Sequence, residues 1–192
     1  MGILEIIAVL FSFTAVVLVI KKNPLSWVFG FVGASFYVYV LLNENLYACA
    51  ITQLVFAVQS IKGWKDWKIA KLESGDIKIK VIDKYTFLFS MLVLFVTWIV
   101  TIIFFMKYSD NTHPILDSIA SLLALMANYY LIRRFLQNWL IWALSDLLFI
   151  FIFIDTKLYL SAVLYGIFLC MATYGYFHWR KDLKKHEEFY GI

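Results

Sequence analysis

The chain has 192 residues, of which 63% are hydrophobic and 16% charged, with a formal net charge of +4. A water-soluble domain carries roughly a quarter charged residues, so the composition excludes one and indicates an integral membrane protein of the all-α class. The net charge would suit an anionic partner, but its distribution along the chain matters more than its sum, and no nucleic-acid partner is expected.

Runs of about 17–25 mostly apolar residues mark membrane spans, and the sequence predicts seven of them. The first, Ile3–Ile20, lacks a basic leader, carries Glu5 ahead of its apolar run and has no small-residue cleavage site before Lys21, so it reads as a helix of the mature protein. Leu25–Leu42 follows, flanked or lined by Asn23, Trp27, Tyr37 and Tyr39. The third, Leu46–Ile61, holds Gln53, Gln59 and Ser60. A basic segment over 62–84 comes next, with Trp64 and Trp67 where an interfacial aromatic belt would lie, "ESGD" as a helix breaker and an alternating "IKIKVID". Its lysines could meet anionic headgroups, but the plain reading is a basic linker. Tyr85–Met106, Ile115–Ile132 (with Asn128, Tyr129 and Tyr130), Trp139–Ile154 and Leu158–Phe177 (with Tyr165) complete the set. Runs of this length must be helices, because lipid cannot satisfy open backbone groups, and the alternating pattern of a β-barrel is absent.

Seven spans put 15 of the 17 basic residues on one side and leave Lys107 and Lys157 on the other. The positive-inside rule makes the rich side cytoplasmic, with the N-terminus outside and the C-terminus inside.

The chain also resembles itself. "NLYACAITQLVFAVQSIKGWKDWK" (45–68) lies over "KLYLSAVLYGIFLCMATYGYFHWR" (157–180) at an offset of 112, with identities that include Leu46/Leu158, Ala50/Ala162, Gly63/Gly175 and Trp67/Trp179. Lys21-Lys22 faces Arg133-Arg134 at the same offset, and Asn23…Trp27 is set against Asn138…Trp142 by a three-residue shift. The expected organisation is a three-helix repeat over 1–68, a cytoplasmic loop and linker helix over 69–112, a second three-helix repeat over 113–180 and a cytoplasmic tail over 181–192. One intervening span makes the two repeats parallel, the 3+1+3 arrangement of SWEET-type transporters, whose substrate site lies near the bilayer midplane.

Polar side chains are costly inside a bilayer and tend to face a bundle interior or an aqueous cavity. On the sixth span Trp139, Trp142 and Asp146 recur at i, i+3 and i+7 on one helical face, with Asn138 one turn before Trp142. Gln53 and Tyr165 occupy equivalent repeat positions. Two indoles beside an amide and a carboxylate suit a planar aromatic ligand, more so a cationic one. Asn138 and Gln53 would supply paired donors and acceptors for ring substituents or sugar hydroxyls, and Asp146 would pair with a cation or a hydroxyl. Gln59, Asn128 and Trp27 are secondary candidates for the same lining. Each has a structural alternative: an interfacial belt for Trp139 and Trp142, interhelical hydrogen bonds for Gln53 and Asn128, a structural carboxylate for Asp146. Spacing alone leaves these open.

Catalytic patterns are weak. His113, His178 and His186 are scattered, no HExxH or glycine-rich phosphate loop is present, and Asp146 and Asp117 do not form an opposed pair within the membrane. Cys49 and Cys170 fall inside spans and read as small hydrophobes. No enzymatic activity, metal or cofactor is expected, and a membrane enzyme or a structural membrane protein is the remaining alternative class.

"QNWLIWALSDLLFIFIFIDTKLYLSAVLYGIFLCMATYGYFHW" (137–179) strongly resembles the closing region of the PnuC family of bacterial vitamin transporters, and "QLVFAVQSIKGWKDW" (53–67) resembles that family's third helix. The resemblance implies a pair of triple-helix bundles in the bacterial inner membrane, a homotrimer, and facilitated diffusion of nicotinamide riboside, made unidirectional by a cytosolic kinase. Carried over by position, it places Asn138, Trp139, Trp142, Asp146, Gln53 and Tyr165 at the substrate. Phe56 and Lys62 depart from the family, which has tyrosines there, and Ala162 and Gly166 are small substitutions in the seventh helix. The hydroxyl missing at Phe56 leaves thiamine, or another vitamin such as riboflavin, as the alternative substrate.

Overall fold

A computed structural model describes residues 3–43, 47–108 and 113–190. Seven helices run through them: α1 (Ile3–Ile20), α2 (Leu25–Asn43), α3 (Tyr47–Ser74), α4 (Lys84–Tyr108), α5 (Pro114–Ile132), α6 (Asn138–Asp155) and α7 (Tyr159–Tyr190). Among the described residues there is no strand, only an isolated bridge between Lys80 and Phe135. Lys84–Ile103, Pro114–Ile132, Asn138–Asp155 and Tyr159–Lys185 are long and apolar enough to cross a membrane, and Ile6–Ile20 and Leu25–Val40 are apolar but shorter. No residue between Lys84 and Ile103 is buried. Phe89, Leu92, Val96, Val100 and Ile103 stand exposed there, a row that lipid solvates and water would not.

Two helices outrun the expected spans. The third span was expected to stop at Ile61, with a loop over 62–84, but α3 continues to Ser74. Ser60, Gly63, Trp67 and Ala70 keep returning to its buried face, so packing carries the helix where hydropathy fails. It stops at Gly75, whose φ of +71° suits only a residue without a Cβ and whose N–H closes on the Lys71 carbonyl at 3.0 Å. The seventh span likewise continues beyond Phe177.

The chain divides into two compact units: Met1–Lys78 with Leu131–Arg134, and Ile79–Tyr130 with Phe135–Ile192. In the first, α1 packs on α2 and α2 on α3, whereas in the second α6 packs on α7. In this division residues 69–78 group with the first unit and helix α4 with the second.

The same local construction recurs along the chain at the offset of 112. Lys22 (φ +53°) and Arg134 (φ +64°) hold the left-handed position after a helix end. In the first unit Lys22 N–H donates to Val19 and Asn23 N–H to Leu18, and Arg134 and Phe135 donate in the same way to Leu131 and Tyr130. These are the two bonds of a Schellman motif, closed here by a cation that also suits the negative helix terminus. Lys157 (φ +61°) ends α6 the same way. Five residues beyond Lys22 and Arg134 stand Trp27 and Trp139. Trp27 meets Trp67 edge-to-face at 5.4 Å, and Trp139 meets Trp179 edge-to-face at 5.3 Å. The three-residue shift inferred from sequence is thus incorrect: the counterpart of Trp27 is Trp139, because the turn geometry admits no insertion. In the first unit Trp67 Nε1 also donates to the carbonyls of Leu131 and Ile132, at 3.2 and 3.3 Å.

A glycine completes each joint. A Cβ on Gly63 would lie 2.4–2.5 Å from the Trp27 ring, and one on Gly175 would lie 2.7 Å from the Trp139 ring. Gly63→Ala and Gly175→Ala should each destabilise the fold by about 1–3 kcal/mol, the usual cost of overpacking a core, read as a lowered unfolding temperature in detergent. Gly166→Ala is the control, since a Cβ there meets nothing within 4 Å, and it should leave that temperature unchanged.

Candidate functional site

Helix α6 is sorted by what surrounds it. Leu140, Leu144, Leu147, Phe151 and Ile154 are about half exposed on one face, while Asn138, Trp139, Ile141, Ser145, Asp146 and Ile152 are buried. At about 100° per residue, Asn138, Trp142, Asp146, Phe149 and Phe153 fall within about 80° of one another, a single row opposite the lipid-facing leucines. Ser145 Oγ, beside that row, donates to the Ala120 carbonyl of α5 at 2.8 Å and fixes the rotation of α6 against α5.

The row begins with an amide that is half satisfied. Asn138 is fully buried, its Nδ2 donates to the Phe135 carbonyl at 2.6 Å, and its Oδ1 has no partner among the described residues. Trp139 Nε1 is also buried and unpaired. Ser26 Oγ and Trp27 Nε1, the counterparts in the first unit, are unpaired too, so this belongs to the repeated joint and by itself does not mark a ligand. Asp146 is different. It lies about 12 Å along the helix from Asn138 at 1.5 Å per residue, is 4% exposed, and has no hydrogen-bond or ion-pair partner among the described residues. Burying a carboxylate without a partner costs several kcal/mol, which sets Asp146 apart from the other buried polar groups of α6.

The two tryptophans of the row part company. Trp139 is 3% exposed, and Gly175 and Trp179 of α7 occupy its ring. Trp142 is half-buried and rests against the cluster of Leu123, Ala127, Tyr130, Phe135 and Ile141. Trp27, a secondary candidate, is buried in the first-unit joint as Trp139 is in the second. At the far end of the row Tyr165 of α7 sits 5.0 Å from Phe149, 5.1 Å from Phe153 and 5.9 Å from Phe168, ring centre to ring centre. Sequence reading overlooked Phe149 and Phe153, although their i, i+4 spacing on α6 was available. Asn128 is buried on α5. In the first unit Gln53 and Phe56 are half-buried on the face of α3 that continues into Ala57 and Ser60, and Gln59 is half-buried beside it.

The repeat is not chemically symmetric. At the offset of 112, α2 carries Gly30 and Ala34 where α6 carries Trp142 and Asp146. A Cβ on Gly30 would already touch Ser60 Oγ at 3.4 Å, so the first unit closes tightly where the second holds an indole and a carboxylate.

The start of α6 is held from outside the bilayer-spanning part. Lys80 accepts the Leu136 N–H at 2.8 Å, and Gln137 Oε1 accepts the Ile82 N–H at 3.1 Å. Asp83 then caps α4 by accepting the Thr86 N–H at 2.9 Å, and its hydrogen bonds with Thr86 hold its carboxyl below the usual range.

Residues 2–181 match the family model described as nicotinamide mononucleotide transporter. The chain is 29% identical over 175 residues to a nicotinamide riboside transporter PnuC of Haemophilus influenzae, covering 88% of this chain and 76% of that one. It is 24% identical over 195 residues to a nicotinamide riboside transporter PnuC of Neisseria mucosa, covering 94% and 73%. A solved structure described as a crystal structure of the vitamin B3 transporter PnuC superposes with a TM-score of 0.78 at 24% identity, over 95% of this chain and 83% of that chain, and so shares its fold.

The contrast between the two indoles has a direct consequence. Trp139→Ala should destabilise the protein by about 3–5 kcal/mol, as for an aromatic removed from a packed core. Trp142→Ala, at a half-buried ring, should cost clearly less. Thermal unfolding of both variants in detergent distinguishes them, and equal losses would place both rings in the packing framework.

Proposed function

The chain belongs to the nicotinamide mononucleotide transporter family, and from that premise we propose that it carries nicotinamide riboside into the cell by facilitated diffusion. It is a membrane transporter and not an enzyme. The observation that carries the substrate reading is Asp146, a buried carboxylate without a partner among the described residues, one turn from a half-buried indole. Nicotinamide riboside is a flat cationic pyridinium bearing a ribose. Trp142 offers a face for the ring, with stacking and cation–π attraction adding, and Asp146 offers an acceptor for the ribose hydroxyls or a countercharge. Asn138 and Tyr165 flank them on the same side of α6. Trp139 acts through packing, by fixing the helix that carries the others. The same reading assigns Gln53 to the substrate, from its polar side chain within a span and from the resemblance, with Phe56, Gln59 and Asn128 secondary; Trp27, a further candidate, acts through packing as Trp139 does.

The remaining elements of the proposal come from charge and chemistry. Fifteen basic residues on one side of the seven spans put that side in the cytoplasm, so the N-terminus is outside and the C-terminus inside the bacterial inner membrane. A carrier with no phosphate-binding loop in its sequence, and with Asp146 and Asp117 not forming an opposed pair, carries no pattern of its own for an energy source. Phosphorylation of the product by a cytosolic kinase then makes uptake one-way. The assembly is a homotrimer by the same resemblance.

Uptake into proteoliposomes tests this. Labelled nicotinamide riboside should equilibrate without concentrating in empty vesicles, should be indifferent to a protonophore, and should accumulate when a riboside kinase and ATP are enclosed. Trp142→Ala should weaken binding by about 1–3 kcal/mol, the scale of one base–aromatic stack, and Asp146→Asn should lose binding and flux together. Transport of thiamine with no transport of the riboside would keep the mechanism and overturn the substrate. Retained binding with lost turnover in Asp146→Asn would overturn the carrier reading of that residue.

A further inference from the structure

We propose that the outward face of α3 between Ile61 and Leu72 binds the anionic phospholipid headgroups of the leaflet at which that helix emerges. Helix α3 has 28 residues, a length of about 42 Å at 1.5 Å per residue, against a hydrocarbon core of about 30 Å. Its emergence level is fixed within the first unit, because Trp67 donates to the carbonyls of Leu131 and Ile132, the last residues of α5. Residues level with Trp67 are therefore at the membrane edge. The inward side of α3 there is Ser60, Gly63, Trp67 and Ala70.

The outward side is neither a lipid-tail face nor a water face. Ile61 and Leu72 are 58% and 76% exposed, and between them lie exposed Trp64, Lys65 and Lys68. Lys68 Nζ stands 5.0 Å from the Trp64 ring centre, so the ammonium is held over the indole at headgroup depth. The acids of this segment lie elsewhere: at about 100° per residue, Asp66 and Glu73 are about 80–100° around the helix from Lys65, and Asp66 faces Lys62 at 3.8 Å. Two apolar side chains bracketing a tryptophan and two cations with no anion among them is the composition of a surface that inserts its edges into acyl chains and meets phosphate with its middle. Neither the substrate nor the orientation of the chain enters this inference.

The test is native mass spectrometry of the full chain in detergent, titrated with phosphatidylglycerol and, separately, phosphatidylcholine. The wild type should retain phosphatidylglycerol preferentially. K65Q/K68Q should bind it about 25-fold more weakly, about fivefold for each lysine, with phosphatidylcholine binding, unfolding temperature and riboside affinity unchanged. Equal retention of the two lipids by the wild type, or an unaltered preference in K65Q/K68Q, would overturn the proposal. So would displacement of phosphatidylglycerol by inorganic phosphate at matching concentration, which would identify a free-anion site.

Discussion

The indole of Trp139 fills the space that a side chain on Gly175 would occupy, and the edge of Trp179 closes against it. Lipid tails are as apolar as leucine, so helices in a bilayer are held by close packing more than by a hydrophobic drive, and a large ring seated over a glycine is a strong form of it. With Trp139 turned into α7 and Ser145 bonded to α5, the row from Asn138 through Trp142 to Asp146 has its direction set and the leucines opposite are left to lipid. The same joint of Trp27, Gly63 and Trp67 sets α2 on α3 in the first unit.

On that duplicated framework the two units carry different chemistry. Gly30 and Ala34 give close helix packing where Trp142 and Asp146 stand in the second unit. A ring and a carboxylate placed side by side are an expensive feature in a membrane. Their presence in one copy only is what supports the proposal that they serve a ligand. The unpaired atoms of the joints are the useful contrast, since Trp27 Nε1 and Trp139 Nε1 are orphaned alike and so carry no such implication.

Much of this was legible in the sequence, for reasons that also explain where reading stopped. Hydropathy marks the ends of α1 and α5 because lysine or arginine directly follows the apolar run. It stops at Ile61 on α3 because Lys62, Lys65 and Lys68 face outward, while Gly63, Trp67 and Ala70, spaced for packing, continue the helix. The duplication was visible in the identities, but the register of Trp27 was not. A three-residue shift aligns asparagine and tryptophan by type, and only the left-handed turns at Lys22 and Arg134 show that the offset stays at 112. Asp146 was recognisable as a lone carboxylate in an apolar run. Trp139 and Trp142 were not separable, because three residues place them about 60° apart on one face and the partner that claims Trp139 lies 36 residues away at Gly175.

The most direct measurement is a structure of the purified protein with nicotinamide riboside bound. The pyridinium ring should lie against Trp142 with the Asp146 carboxylate in hydrogen-bond reach of the ribose or close to the ring charge, and Trp139 should remain seated over Gly175. A riboside stacked on Trp139 with the joint opened, or held away from α6 with Asp146 untouched, would contradict the assignment of recognition to that row.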